Sequence, residues 1–237
     1  MNKIYFITFG GGDINYFEAV SRICEQAKQL NIFDKIIGYT PIYLINDKEF
    51  WKNHGNFIKN NKRGFGYWLW KPYLIKKTLE LLKDGDILVY LDCGCEIDIR
   101  NKDKILKLIE IVKIDKIIGS FINNNKEGKW TKKDLFIALN VLKSKYVYSD
   151  QRQATGLILL KCKEVIDLVD LWYKYSSNYH LIDDSPSIQK NFDFFKEHRH
   201  DQSIFSLLTK KYNIYSTHSI TPTIYLSRNR TGISKIY

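Results

Sequence analysis

The stretch Arg63–Glu96, RGFGYWLWKPYLIKKTLELLKDGDILVYLDCGCE, holds most of the residues whose type and spacing can do chemistry. It reads as a glycine- and aromatic-rich loop, a proline-started amphipathic helix and an apolar strand ending in the carboxylate of Asp92. A carboxylate just past a buried strand can bind a divalent cation that bridges two phosphates, or a sugar hydroxyl directly. Gly94 follows at once and permits close backbone approach. Arg63, Trp68, Trp70 and Lys71 stand before the helix. Their cations suit a diphosphate, and the indole faces suit a base or a sugar ring. Together they predict a site for an anionic, ring-bearing ligand, such as a sugar nucleotide, at the carboxyl edge of an α/β sheet. The glycines do not form a Walker loop, because no Gly-Lys-Ser/Thr follows them.

Further polar candidates lie outside this stretch. HRHDQSIF puts His200, Asp201 and Gln202 at a helix start, where they can touch a sugar or a developing positive charge or simply cap the helix. Glu96 and Asp98 read equally as surface charges or as ligands. His218, alone in THSITP, is either structural or a ligand. Cys93 and Cys95 lack partner histidines and read as packing residues.

Alternating strands and helices must position these groups. Lys3–Phe9 is a β-branched and aromatic run broken by Gly10–Gly12, hence a first strand. Asp13 or Asn15 caps a helix to about Leu30, with Phe17, Val20, Ile23, Cys24 and Ala27 on one face. Lys35–Tyr39 is a second strand, closed by Pro41. The helix Pro72–Lys83 carries proline in its first turn and an inward stripe of Leu74, Ile75, Leu79 and Leu82. Asp86–Leu91 is the next strand, apolar enough for a sheet covered on both faces. Helices follow at Ile105–Val112 and Val165–Tyr175, and strands at Lys116–Ser120 and Thr155–Leu160. Thr131–Asp134 has the form of a capping box, and Asp201 that of an N-cap. After Lys211 a short strand and an irregular tail remain. The pattern predicts an α/β fold with a mainly parallel sheet flanked by helices.

A chain of 237 residues can bury a full core in one domain. Its 44% hydrophobic and 14% aromatic content exclude a disordered protein. No window approaches the ~18 consecutive apolar residues of a membrane span. The opening run Ile4–Phe9 is too short for a signal peptide's apolar region, so a cytoplasmic protein is expected. Cys24, Cys93, Cys95 and Cys162 show no CxxC and are expected reduced. The net charge of +11 admits nucleic acid, an anionic membrane or a phosphorylated substrate. Lysines dispersed along helices argue against nucleic acid, while the basic tail SRNRTGISKIY leaves peripheral membrane contact open.

With these pieces in order, the chain resembles the nucleotide-sugar glycosyltransferases of the GT-A fold, over about residues 3–215. It is most similar to small bacterial and large-virus members and to the retaining galactosyl- and mannosyltransferase groups. The resemblance rests on ITFGGG, the segment Gly66–Pro72, VYLDCGCEI about 20 residues later, TGLILLK, and His-Asp-Gln at 200–202. It implies a donor half (1–120), an acceptor and catalytic half (121–215) and a tail (216–237). Thr8, Phe9 and Gly10 would border the nucleotide. Arg63, Trp70 and Lys71, with Gly94, would meet the donor, and Thr155 and Gly156 would floor the sugar. Asp92 would be the first acid of the Asp-x-Asp motif. Asp201 and Gln202 would face the reacting carbon, and His200 the acceptor.

The implied donor is a UDP- or GDP-sugar, and the implied acceptor a hydroxyl of a glycan, lipid-linked sugar or protein, with retention at C1. Mn2+ or Mg2+ is the implied cofactor. Gly94 replaces the family's second acid. Asp92 therefore holds the metal with His218 or Glu96, or lysine and arginine replace it, or activity is lost. Two other readings remain. A sugar-nucleotide nucleotidyltransferase would need a cation pair that GGGDINYFEA lacks. A non-catalytic carbohydrate- or nucleic-acid-binding protein would use the aromatic loop as a stacking platform.

Overall fold

The computed structural model describes residues 2–221, 223–226 and 228–236; of the basic tail, Ser227 and Tyr237 lie outside them. The first half runs β1 (Ile4–Phe9), α1 (Ile14–Leu30), β2 (Lys35–Tyr39), α2 (Pro41–Asn46) and α3 (Lys48–Asn60). It continues through the short α4 (Gly64–Tyr67), α5 (Trp70–Glu80), β3 (Ile87–Leu91), β4 (Glu96–Ile97) and α6 (Lys102–Asp115). The second half has β5 (Ile117–Lys126), the short helices α7 (Glu127–Trp130), α8 (Lys133–Ala138) and α9 (Ser144–Val147), and β6 (Asp150–Leu160). It closes with α10 (Lys163–Ser176), α11 (His200–Lys211) and β7 (Ile224–Tyr225).

The central sheet has the order β2-β1-β3-β6-β5. β2, β1 and β3 are parallel, β6 runs against β3, and β5 runs against β6. Four strands thus point one way and β6 opposes them, which is the mainly parallel α/β sheet expected. Period-two alternation assigns the faces. Phe6, Ile87, Val89, Leu91 and Ile158 lie in the core cluster with α1 and α6. Ile7, Leu88, Tyr90, Leu157 and Leu159 lie in the other, with α5, α10 and α11. All five residues of β3 are buried, as a strand covered on both faces requires.

Several local expectations shift. α5 starts at Trp70, two residues early, and it buries Lys71, Tyr73 and Thr78 besides its apolar stripe. The reason is coverage by the sheet on one side and α10 on the other. β6 begins at Asp150, not Thr155, and β5 runs on to Lys126, because the two strands pair with each other beyond the core. Asp13 caps α1 by accepting from Asn15 N at 3.0 Å.

The Thr131–Asp134 capping box does not form. Thr131 Oγ1 donates to Glu127 (3.1 Å), and Asp134 accepts from the backbone of Ile188 and Gln189. Asp201 is no N-cap either: Arg199 holds that position, and Asp201 sits inside the first turn of α11. In both places a tertiary partner outcompetes the local cap.

The tail is docked. The Arg22 guanidinium on α1 donates to Asn229 O (3.1 Å), Thr231 O (2.6 Å), Cys93 O (2.8 Å) and Cys95 O (2.9 Å). Glu96 accepts from Asn229 Nδ2 (2.8 Å), Ser234 Oγ (2.7 Å) and Lys235 N (3.0 Å). Burial alone would raise the Glu96 pKa, but these hydrogen bonds and Arg22 outweigh it and hold it low. A depressed carboxylate stabilises above its unfolded pKa and loses that contribution as pH falls through the folded value.

Glu96→Ala should therefore free the tail: limited trypsin digestion at neutral pH should cut at Arg228 or Arg230 faster than in the wild type. An unchanged cleavage rate would refute the latch. Leu88, fully buried in the middle of β3, tests the core. Leu88→Ala should cost about 2–5 kcal/mol in urea denaturation.

Candidate active site

β1 and β3 end, and β6 enters, at one edge of the sheet. Ile7 pairs with Tyr90, Tyr90 with Leu157, and Leu91 with Gly156. Asp92 leaves β3 at this edge and donates its backbone N–H to Thr155 O at 2.8 Å. A carboxylate two residues after Tyr90 falls on the same side of the strand, the side that α5 covers.

Lys71, in the first turn of α5, reaches into this corner. Its Nζ lies 3.1 Å from Asp92 Oδ1 and 3.2 Å from Asp201 Oδ2. It donates a hydrogen bond to Ala154 O at 3.1 Å. Tyr90 Oη donates to Asp92 Oδ1, and Trp172 Nε1 donates to Asp201 O at 2.9 Å, which pins the start of α11. Asp92 keeps 31% of its side chain exposed, whereas Lys71 and Asp201 retain 4% and 5%. The cluster thus presents one carboxylate outward over a buried ion pair.

Burial alone lowers the Lys71 pKa, yet Asp201 and then Asp92 outweigh it, and the net shift is upward. The ammonium stays charged. Asp201 is pushed up to about 6, by burial first, against the pull of Lys71 and with the push of Asp92. Its Oδ2 accepts no aligned hydrogen bond: the 3.2 Å contact with Lys71 is electrostatic and undirected.

The structure gathers Lys71, Asp92, Asp201, Thr155 and Gly156 in one corner. A Cβ at Gly156 would come within 2.9 Å of Leu91 Cδ2, on the α1/α6 face of the sheet and so on the side away from the Asp92 carboxylate; only its backbone borders the corner. Gln202 is adjacent but engaged: its Oε1 accepts from Ala154 N (3.4 Å) and its Nε2 donates to Gln151 Oε1 (2.7 Å). Thr8, Phe9 and Gly10 end β1 at the same edge, but all three are buried. A Cβ on Gly10 would meet Tyr16 O at 2.4 Å, so that glycine serves the packing of α1. Thr8 Oγ1 is buried with no hydrogen-bond partner among the described residues. Gly94 O accepts from Asn229 N at 3.0 Å, which ties the loop after Asp92 to the tail.

Other expected contributors sit elsewhere. Trp70 is 4% exposed, packs on Phe9 at 4.0 Å between ring centroids and donates to Gly64 O (2.9 Å); it is core and offers no open ring face. Arg63 pairs with Asp184 (2.8 Å) and lies 3.9 Å from Glu197, rather than joining Lys71. His200 is 3% exposed, its Nδ1 is bonded to Ile182 O (2.7 Å), and Trp68 stacks on it at 5.3 Å. Burial lowers its pKa, so it is a neutral packing element. Tyr67 and Trp68 are half-buried, and both rings pack on His200, the residue before Asp201.

His218 is remote from Asp92. The chain beside it bridges Gly119 on the outer side of β5, three strand spacings or roughly 14 Å from β3. Its Nδ1 contacts Ser216 Oγ (3.1 Å) and lies 3.4 Å from Asp115 Oδ2. Glu96 is taken by the tail, and the buried Asp98 by Arg100. Among the described residues no group of three or more His, Cys, Asp or Glu is gathered to hold a metal ion. Where a cation is called for between Asp92 and Asp201, the ammonium of Lys71 already stands.

The approach to the corner carries unusual backbone. Phe65, Tyr67 and Trp68 in the aromatic loop and His200 at the start of α11 have φ of 54°, 53°, 61° and 52°. Non-glycine residues held there cost of order 1–3 kcal/mol each, and such residues cluster at functional sites.

No family model matches the chain, and no curated protein matches it. Among solved structures, mouse xyloside xylosyltransferase 1 in its apo form is similar at TM-score 0.46 and 11% identity, over 92% of this chain and 86% of that one. A glycosyltransferase involved in glycosylation of the major capsid of PBCV-1 gives 0.45 and 9%, over 92% and 82%. Mannose-6-phosphate isomerase from Helicobacter pylori gives 0.36 and 12%, over 97% and 95%.

Asp201 also marks the stability profile. Its raised pKa means that the folded state holds the proton more tightly than the unfolded one, whose ordinary value is 3.8. The associated stability is complete below that value and is lost as pH rises through about 6. Asp201→Asn should flatten the change in unfolding free energy between those two pH values, measured by urea titration. An identical slope in the variant would remove Asp201 as its source.

Proposed function

We propose that this chain is a glycosyltransferase that moves a sugar from a nucleoside-diphosphate sugar to a hydroxyl acceptor, a glycan, lipid-linked sugar or protein. The supporting observation is the ammonium of Lys71, held between Asp92 and Asp201 at the strand-end edge of the sheet. Such a transfer breaks the bond from C1 to the diphosphate and forms one from C1 to the acceptor oxygen. What it demands of the protein is a fixed cation for the departing phosphates and an oriented acceptor. Lys71 supplies the cation, and the outward carboxylate of Asp92 takes the sugar's hydroxyls. The half-buried Tyr67 and Trp68, packed on His200 next to Asp201, are the rings proposed to meet the donor with their exposed edges. The buried Lys71 acts on the leaving group through its field, from beneath Asp92. With the incoming hydroxyl on the same face, the acceptor's proton passes to the departing diphosphate, and C1 keeps its configuration.

Residues 1–120 then carry the donor side, and 121–215 the acceptor side. We propose that Lys71 does the electrostatic work of a divalent ion. The donor set around Asp92 holds an ammonium, with glycine at position 94, and that set does not fit a dedicated Mn2+ or Mg2+ site. No step of the transfer is routed through a metal. Arg228, Arg230 and Lys235 stay exposed on the docked tail, a cationic border that suits an anionic, lipid-linked acceptor.

Incubation with UDP- and GDP-sugars should show saturable thermal stabilisation by one of them and slow release of the nucleoside diphosphate. Asp92→Asn and Lys71→Arg, checked for folding, should each reduce that release at least a hundredfold. Full turnover in both variants would remove this corner from the reaction. Release of pyrophosphate from a nucleoside triphosphate would instead support a nucleotidyltransferase. Activity should persist in excess EDTA, and its loss, restored by Mn2+, would overturn the role given to Lys71. Activity should fall as pH drops through about 6, where Asp201 protonates and its pairing with Lys71 is lost.

A further inference from the structure

Away from the Lys71 corner, cations, aromatic rings and open space meet where β5 and β6 extend beyond the core. A cleft of about 450 Å³ there is lined by Phe121, Lys145, Tyr146, Asp150, Arg152 and Lys210, among others. Phe121 and Arg152 are paired across the two strands and share one face.

The charges around this cleft do not cancel. Lys210 pairs with the buried Glu127 at 2.6 Å and also donates to Ser149 Oγ (2.8 Å) and Asp150 O (2.7 Å). Asp150 pairs with Lys126 at 2.8 Å. Each acid thus has its own cation. Arg152 and Lys145 form no ion pair among the described residues. Arg152 lies over the Tyr215 ring (4.3 Å) and beside Phe121 (5.9 Å), and its Nε and Nη1 are buried with no acceptor. Lys145 lies over Tyr146 at 4.9 Å.

Buried donors without acceptors are costly in a folded chain. Here the guanidinium is held by ring stacking, so no acceptor of the chain competes for it. A planar guanidinium beside a free ammonium is the arrangement that recognises phosphate or carboxylate. Burial lowers the Arg152 pKa, with Tyr215 and Glu127 opposing, but a guanidinium remains charged at neutral pH.

We infer that this cleft is an oxyanion-binding site, for a phosphate or carboxylate carried by a small molecule or saccharide, with Arg152 and Lys145 as its ligands. It is separate from the Lys71 corner: Arg152 precedes Thr155 by three residues on β6, roughly 10 Å along the strand. A ligand of saccharide length spans that interval. The site stands on its own geometry and does not require the transfer reading.

The test is binding, followed by calorimetry and by chemical shifts of the full chain at low ionic strength. Inorganic phosphate and glucuronate serve as the two probes, which separate a phosphate-selective site from a carboxylate-selective one. Saturable binding of either should perturb Tyr146 and Phe121. It should weaken at least tenfold in Arg152→Gln and several-fold in Lys145→Ala, and remain unchanged in the distant surface variant Lys107→Ala. Lys145 is exposed, so its variant keeps the test decisive if Arg152→Gln fails to fold. No saturable binding of either anion overturns the site. So does equal weakening by Lys107→Ala, or unaltered affinity in both Lys145→Ala and Arg152→Gln.

Discussion

The buried ammonium of Lys71 is the constraint around which the rest of the molecule is arranged. Removing such a charge from water costs several kcal/mol, and only close opposite charges and hydrogen bonds offset that penalty. Lys71 finds them on three separate elements: Asp92 at the end of β3, Ala154 O on β6, and Asp201 on α11. The ion cluster therefore sets where α5, β3, β6 and α11 meet. Trp172 from α10 joins the same constraint through the backbone of Asp201, and Tyr90 through Asp92. The resulting corner is rigid and charged, with its solvent-facing oxygens concentrated on Asp92.

Around that corner lie two supports of different kinds. One is strained: the aromatic loop of α4 and the start of α11 hold four non-glycine residues at positive φ, with Trp68 stacked on His200. The other is a strap. Arg22 binds four carbonyls at once, two from the loop after Asp92 and two from the tail, while Glu96 collects donors from the tail. The loop that carries Asp92 is thereby pinned from beneath by α1 and from the side by residues 229–235. Tail, loop and α1 form one hydrogen-bonded unit.

The excess positive charge divides into two populations. Many lysines, such as Lys28, Lys77, Lys113 and Lys163, pair with acids three or four residues away on exposed helix faces, where ion pairs contribute little. The cations with structural or binding consequences are the buried ones. Lys71, Lys132 and Lys210 each answer a carboxylate of the chain. Arg152 forms no ion pair among the described residues and lies over the Tyr215 ring instead, beside an open cleft.

What the residue order determined alone was the α/β alternation, the apolar strands, and the nearness of Lys71 to Asp92. Strand periodicity and a helix start about 20 residues upstream place both at one sheet edge whatever the packing details. Tyr90 was not singled out in the sequence, although its place two residues before Asp92 puts it on the same strand face; its bond to Asp92 appears only in the structure. Tertiary structure decided which polar residues remain open. Trp70 and His200 look like ligand contacts by type, but long-range packing buries them. Thr131 and Asp201 look like caps, but Glu127 and Lys71 are better partners. Glu96 and His218 look like metal ligands, but the tail claims one and an outer strand position removes the other. Local patterns report which face a residue is on and which neighbours it can bond. The competition among distant donors and acceptors for a buried group is settled only when the chain closes on itself.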